Sequence, residues 1–216
     1  MRFPTKRFRD EIVGKRYENV LAAQVLPGCE SLLDVGCGAN SPIKEFSKHI
    51  PRSVGVDGFL PSIETARKQG IHTEYRQSKL MEVDNLFSER EFDVVVGLDV
   101  IEHFEKPQGL ALIQKLEKLA RKRVVLFTPN GFVPQEPVDG NEYQRHLSGW
   151  TVEEMKALGY CVYGINGYKP WRGEFAGIIR RPKKLFLWLS RITERFVYQR
   201  PEKAFQILCV KDMGRE

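Results

Sequence analysis

Apolar positions along this chain fall into two alternating patterns. Short runs dominated by β-branched and aliphatic residues, the signature of buried strands, occur at Ser31–Val35, Val54–Val56, His72–Tyr75, Phe92–Leu98, Arg123–Phe127, Tyr160–Ile165 and Ala204–Lys211. Between them lie stretches whose apolar residues recur at three- and four-residue spacing, as on one face of a helix. Residues 7–25 read this way and stop at Pro27-Gly28, and Ser62–Gly70 ends on a glycine suited to a helix C-cap. A third helix has Pro107 in its first turn and Leu112, Ile113, Leu116, Leu119 and Ala120 as its buried stripe. Thr151-Val152-Glu153-Glu154 spells a capping box before a short helix closing at Gly159. Lys183–Val197 forms a helical insertion between the last two strands. Only Gln77–Arg90 and the polar run after Pro129 to about Trp150 resist assignment. Strand and helix alternating in this way predict an α/β fold: a doubly wound, mostly parallel seven-stranded sheet with helices on both faces. Its ligands would lie beyond the carboxyl ends of the strands.

The chemistry concentrates where the first strand ends. Ser31-Leu32-Leu33-Asp34-Val35 runs into Gly36-Cys37-Gly38, after which helix-compatible sequence resumes. Glycines there allow a sharp turn and close approach to backbone N–H groups. The second strand ends in Asp57, where a βαβ nucleotide site places a carboxylate against ribose hydroxyls. The dinucleotide fingerprint needs a third glycine at position 41, and this chain has Ser41. That departure counts against a nicotinamide-dependent oxidoreductase. The fourth strand continues as Phe92-Asp93-Val94-Val95-Val96-Gly97-Leu98-Asp99-Val100-Ile101-Glu102-His103, an apolar run leading to an acid-histidine pair.

An acid inside the first strand, the DVGCG turn, an acid closing the second strand and the FDVVVGLDVIEH run together resemble the class I S-adenosylmethionine-dependent methyltransferases, over residues 30–131. The resemblance implies a Rossmann-like seven-stranded sheet whose last strand is antiparallel. It implies S-adenosylmethionine as cofactor, with Asp34 and the backbone of Gly36, Cys37 and Gly38 around its methionine part. Asp57 would accept the ribose hydroxyls, Gly58 and Phe59 would flank the adenine, and Leu98, Asp99 and Val100 would lie under the sulfonium. Where the family often has an Asp facing the adenine amino group, this chain reads Gln77-Ser78-Lys79-Leu80. Backbone groups are expected to serve instead, and Leu80 is a candidate cofactor contact.

The same reading expects one domain over residues 1–216: an N-terminal helical segment (1–28), a cofactor-binding half (29–131) and an acceptor-side half (132–216) with the helical insertion at about 183–198. His146 and His103 are the candidate catalytic bases for a hydroxyl acceptor. The four cysteines lie far apart with no C-x-x-C pair, so no metal site is expected. The charged N-terminus and the lack of a spanning apolar run argue for a cytoplasmic protein. Net charge is +6, but residues 1–16 carry +4, 169–200 carry +7 and 17–168 carry −5.

Function is thus expected to be methyl transfer to a small-molecule acceptor at oxygen, nitrogen or carbon. The basic flanks keep open a nucleic-acid acceptor, although the Asn/Asp-Pro-Pro-aromatic signature for base amines is absent after the fourth strand. They also keep open a membrane-associated lipid or quinone-type acceptor. In residues 183–197, Leu185, Trp188, Leu189, Ile192 and Phe196 share one helical face, and Lys184, Arg191 and Arg195 share another. Such a helix suits core packing, a homodimer contact or a peripheral membrane contact. A non-enzymatic module on the same fold is the remaining alternative. The protein is expected to be a monomer or homodimer.

Overall fold

A computed structural model describes residues 17–137, 141–173 and 176–214. All seven expected strands are present: β1 (Ser31–Val35), β2 (Arg52–Asp57), β3 (Glu74–Gln77), β4 (Phe92–Leu98), β5 (Ala120–Pro129), β6 (Cys161–Tyr168) and β7 (Ala204–Asp212). They form one sheet in the order β3-β2-β1-β4-β5-β7-β6. β1 to β5 pair in parallel, whereas β7 runs antiparallel to both β5 and β6. The strand order reverses between β1 and β4, so the connections leaving these two strands diverge to opposite sides and open a crevice.

Alternation along the strands builds a core on each face. Leu33, Val35 and Val95 face α3 (Lys106–Leu119) and α4 (Val152–Ala157), while Leu32, Val94, Val96 and Leu98 face α1 (Tyr17–Val25) and the turn carrying Ile43 and Phe46. Leu112, Ile113, Leu116 and Leu119 are buried along α3 as the periodicity requires. The Thr151–Glu154 capping box opens α4. α2 (Leu60–Gln69) ends on Gly70 in the left-handed region at φ 63°, and α5 (Lys183–Gln199) fills the β6–β7 connection. Of the helix expected over 7–25, residues 7–16 lie outside the described residues; 17–25 are helical.

Three expectations need correction. The chain after Gly38 forms two 3-10 turns, Pro42–Glu45 and Ser47–His49, in place of the expected helix. Phe46 breaks the run at φ −141° and ψ 2°, and Ile50, restricted by the proline that follows, is extended. β3 starts at Glu74, because Thr73 spends its N–H and hydroxyl on the Ser53 carbonyl, at 3.0 and 2.7 Å, before regular pairing begins. β5 begins three residues earlier than its apolar run. Arg121 and Lys122 are tolerated there because both reach the buried carboxylate of Asp93, at 2.7 and 2.9 Å.

Trp150 ties the segment after β5 to the rest of the fold. It is buried, donates its indole N–H to the Ile101 carbonyl at 3.2 Å, and lies under the Lys106 ammonium, 3.9 Å from the ring centroid. A Cβ on Gly109 would stand 2.7 Å from the indole, so α3 approaches it by lacking a side chain there. Trp150→Ala is expected to cost about 3–5 kcal/mol of unfolding free energy, measured by urea denaturation.

Candidate functional site

A cavity of about 880 Å³ opens beyond the carboxyl ends of β1, β2, β4 and β5. Its floor is the glycine turn. Gly36 has φ 76°, and a Cβ on it would stand 2.5 Å from Val100 Cγ2, so no other residue fits without moving the β4 exit. The N–H groups of Gly36 and Cys37 both point to the Val56 carbonyl, at 2.8 and 3.1 Å, locking β1's exit to β2. The Cys37 side chain is buried beside Gly55, and burial raises its thiol pKa, so this residue serves the site through its backbone.

Both predicted acids stand at the cavity. Asp57 Oδ2 accepts the Gly38 N–H and its Oδ1 the Phe59 N–H, each at 2.8 Å. Burial raises its pKa, and these N–H donors oppose the rise. A carboxylate holds about four lone-pair sites, so each oxygen retains capacity for a further donor. Asp34 is buried, and its Oδ2 accepts the Ser41 hydroxyl at 2.6 Å and lies 3.1 Å from His72 Nε2. Its Oδ1 is buried with no partner among the described residues. Leu80, Leu98, Asp99, Val100, Gly38 and Gly58 line the cavity as well. Phe59 does not; Tyr143, from the segment after β5, is the aromatic ring that approaches Gly58.

At the other end, four titratable side chains crowd together. Asp99 has φ 53° where β4 ends, and its Oδ1 accepts from the Gln206 amide at 3.2 Å. Burial pushes its pKa up to about 7, against hydrogen bonds from Glu102 and Gln206. Burial and then the charge of Asp99 hold Glu102 well above the usual carboxylate range. Two carboxyls buried together both hold protons to higher pH than they would in water. Glu102 Oε2 also accepts the Thr128 hydroxyl at 3.0 Å, and Oε1 is buried without a partner among the described residues.

The backbone of Glu102 brings the two candidate histidines together. Its carbonyl accepts the N–H groups of Leu147 and Ser148, at 2.8 and 3.0 Å, pinning the segment that bears His146 against the turn that bears His103. The rings sit 4.8 Å apart, edge to face. Nδ1 of His103 lies 3.1 Å from the Arg145 carbonyl, and Nδ1 of His146 lies 2.6 Å from that of Val133. Burial lowers the His103 pKa to about 4, so this ring is neutral near pH 7. Ligand atoms of Glu102, His103 and His146 all lie within 4.8 Å of one another, a carboxylate and two imidazoles of the type that binds divalent transition metals. The Cys pattern gave no sign of this grouping; the Glu102-His103 pair was visible, but its meeting with His146 was not.

The motifs also failed to mark Tyr17, His72, Ser41 and Thr128. Tyr17 stacks on Phe127 at 4.2 Å and lines the cavity, its hydroxyl buried and without a partner among the described residues. Burial, then the charges of Asp99 and Asp34, raise its pKa well above the ordinary value.

Residues 33–127 match a family model described as a methyltransferase domain. Over those residues the chain is similar to methyltransferase domains. A ubiquinone biosynthesis O-methyltransferase of Rickettsia conorii is 26% identical over 142 residues, covering 57% of this chain and 48% of that protein. One from Rhodopseudomonas palustris is 25% identical over 179 residues, covering 69% of each. The chain spans about half to two-thirds of the length of these curated relatives. Magnesium protoporphyrin IX methyltransferase from Synechocystis, solved with bound SAM, shares the fold at a TM-score of 0.51 and 16% identity, covering 96% of this chain and 79% of that one. The glycine turn, Asp34, Asp57 and the β4 exit lie inside the matched region. His146 and Tyr143 lie beyond it.

The buried acid pair predicts a pH dependence. Between the ordinary Asp value of 3.8 and about 7, folded Asp99 keeps a proton that the unfolded chain has released. Its contribution to stability therefore falls as pH rises through this window. His103, lowered from 6.5 to about 4, contributes with the opposite slope and cancels when variant and parent are compared. Asp99→Asn should gain unfolding free energy relative to the parent from about pH 4 to about pH 7, read by urea titration.

Proposed function

We propose that this protein transfers the methyl group of S-adenosylmethionine to a hydroxyl of a small molecule. The observation that carries this reading is one cavity with two chemically distinct ends. On one side are Gly36–Gly38, Asp34 and Asp57; on the other are Asp99, His103 and His146, with Glu102 buried beside the histidines. The first group suits the cofactor: Asp34 Oδ1 is a buried acceptor without a partner among the described residues, and Gly38, which lines the cavity, has nothing within 4 Å of where its Cβ would stand. Asp57 would hold the ribose hydroxyls, Asp34 and the glycine-turn backbone the methionine part, and Tyr143 would cover the adenine side near Gly58. When bound, S-adenosylmethionine supplies a methyl group activated by its sulfonium.

What the protein must add is alignment and a place for the acceptor's proton. The β4 exit, fixed by the Asp99 N–H to the Phe127 carbonyl at 2.8 Å, sets where the acceptor meets the methyl group. His146 takes the hydroxyl proton. His103, a weak base with its pKa near 4, packs against the His146 ring and orients it. The O-methyltransferase activity named for the relatives supports oxygen as the accepting atom. A second reading rests on the 4.8 Å grouping of Glu102, His103 and His146. In it Glu102, His103 and His146 would hold a divalent cation, which would supply Lewis-acid activation of an acceptor hydroxyl.

Calorimetric titration should show binding of S-adenosylmethionine and S-adenosylhomocysteine, weakened by about 100-fold or more in Asp57→Ala, which removes charge-assisted hydrogen bonds. A folded protein that binds neither ligand refutes the proposal. Across a panel of hydroxylated aromatics, His146→Ala should lower kcat by about 10²–10⁴ with cofactor affinity retained. Activity abolished by a chelator and restored by a divalent cation would select the second reading, whereas chelator-insensitive turnover would leave His146 acting as the base alone.

A further inference from the structure

The β6–β7 insertion carries a surface that the cavity does not use. α5 packs on β6 through Ser190 and Val197, which meet Gly167 and Gly164, and Arg172 fastens it by donating to Ser190 Oγ at 3.1 and 2.9 Å. Phe186 is held edge to face by Trp171 at 5.6 Å. This inward face fixes which side of the helix looks out. Leu185, Trp188, Ile192 and Phe196, spaced three and four residues apart, form an outward stripe, and Trp188 is 58% exposed. With Ile179 and Leu187 they make up half of the twelve exposed large apolar residues among the described residues. Six such residues within 18 positions form a patch, whereas single exposed apolar residues need no explanation.

The charge around the patch is one-sided. Residues 179–200 hold seven Lys/Arg and one acid, Glu194. That acid is half-buried on the side toward β6, where it and Asn166 are in contact. Lys184, Arg191 and Arg195 flank the apolar stripe along the exposed side of α5, and the Arg200 guanidinium covers the Phe196 ring at 4.4 Å. Exposed tryptophan and aliphatic side chains beside a row of cations match the headgroup boundary of an anionic bilayer. A second copy of the chain would bring the same cations face to face. No helix among the described residues is long and apolar enough to cross a membrane, so contact through α5 would be peripheral.

We propose that the outward face of α5, centred on Trp188 and flanked by Lys184, Arg191 and Arg195, docks the protein on an anionic lipid surface. This proposal does not rest on the methyl-transfer reading. The test is flotation of the full chain with phosphatidylcholine vesicles, with and without phosphatidylglycerol, at low and high salt. Binding is expected only with phosphatidylglycerol and should weaken as salt rises. Two exposed-surface variants, Trp188→Ser/Phe196→Ser and Lys184→Glu/Arg191→Glu/Arg195→Glu, should each lower partitioning by about tenfold or more. Their circular dichroism and thermal melting should stay unchanged. Vesicle binding should shift tryptophan emission to the blue in the parent, and that shift should vanish in Trp188→Phe while flotation persists. A shift that survives in Trp188→Phe would place the contact at another site and overturn the proposal. So would failure to float with anionic vesicles at low salt, or sedimentation as a dimer that the Trp188→Ser/Phe196→Ser variant dissociates.

Discussion

The burial of Glu102 is the constraint that holds the acceptor end of this molecule together. A carboxyl placed out of water must be neutral or fully bonded, and this one meets Asp99 and the Thr128 hydroxyl while its backbone carbonyl receives two N–H groups from the Leu147–Ser148 segment. The exits of β4 and β5 and the long segment after β5 therefore converge on one residue. Trp150 reinforces the same junction through the carbonyl of Ile101, the neighbour of Glu102. Remove that junction and the two histidines have no reason to meet.

The opposite end is governed by steric exclusion. Gly36 sits against Val100, and both Gly36 and Cys37 donate to one carbonyl on β2. This fastens the glycine turn to β2 and, through Val100, to the β4 exit at the reversal of strand order. Val100 can pack directly on the turn because Gly36 has no side chain. Asp34 and Asp57 then gain their character from surroundings that are nearly dry, one keeping a buried oxygen without a partner among the described residues and the other bonded to backbone.

Legibility in the sequence followed the distance over which each feature is encoded. β4 reads in full from its own residues because a strand buried on both faces needs no alternation to declare itself. The capping box at Thr151, Gly70 at the end of α2 and the glycine turn are local and were visible for the same reason. Tyr17, Ser41, His72 and Thr128 reach the site only through tertiary contacts, and nothing in their neighbours in the chain marks them. The helix expected after Gly38 failed because the non-helical Phe46 and the extended Ile50 before Pro51 limit the segment to single turns. Phe59 followed Asp57 closely enough to suggest an adenine neighbour, yet its N–H rather than its ring serves the site, and Tyr143 takes the position near Gly58.

β7 lies antiparallel between β5 and β6, and this has a consequence for how such a protein can change. Antiparallel neighbours need only a short turn between them, unlike the parallel strands of the other half, which require crossovers. The 35 residues from Lys169 to Lys203 are therefore topologically optional. A few residues in a tight turn could join β6 to β7 in their place. Lineages could rewrite this stretch, and with it where the protein works, while the glycine turn and its acids descend unaltered.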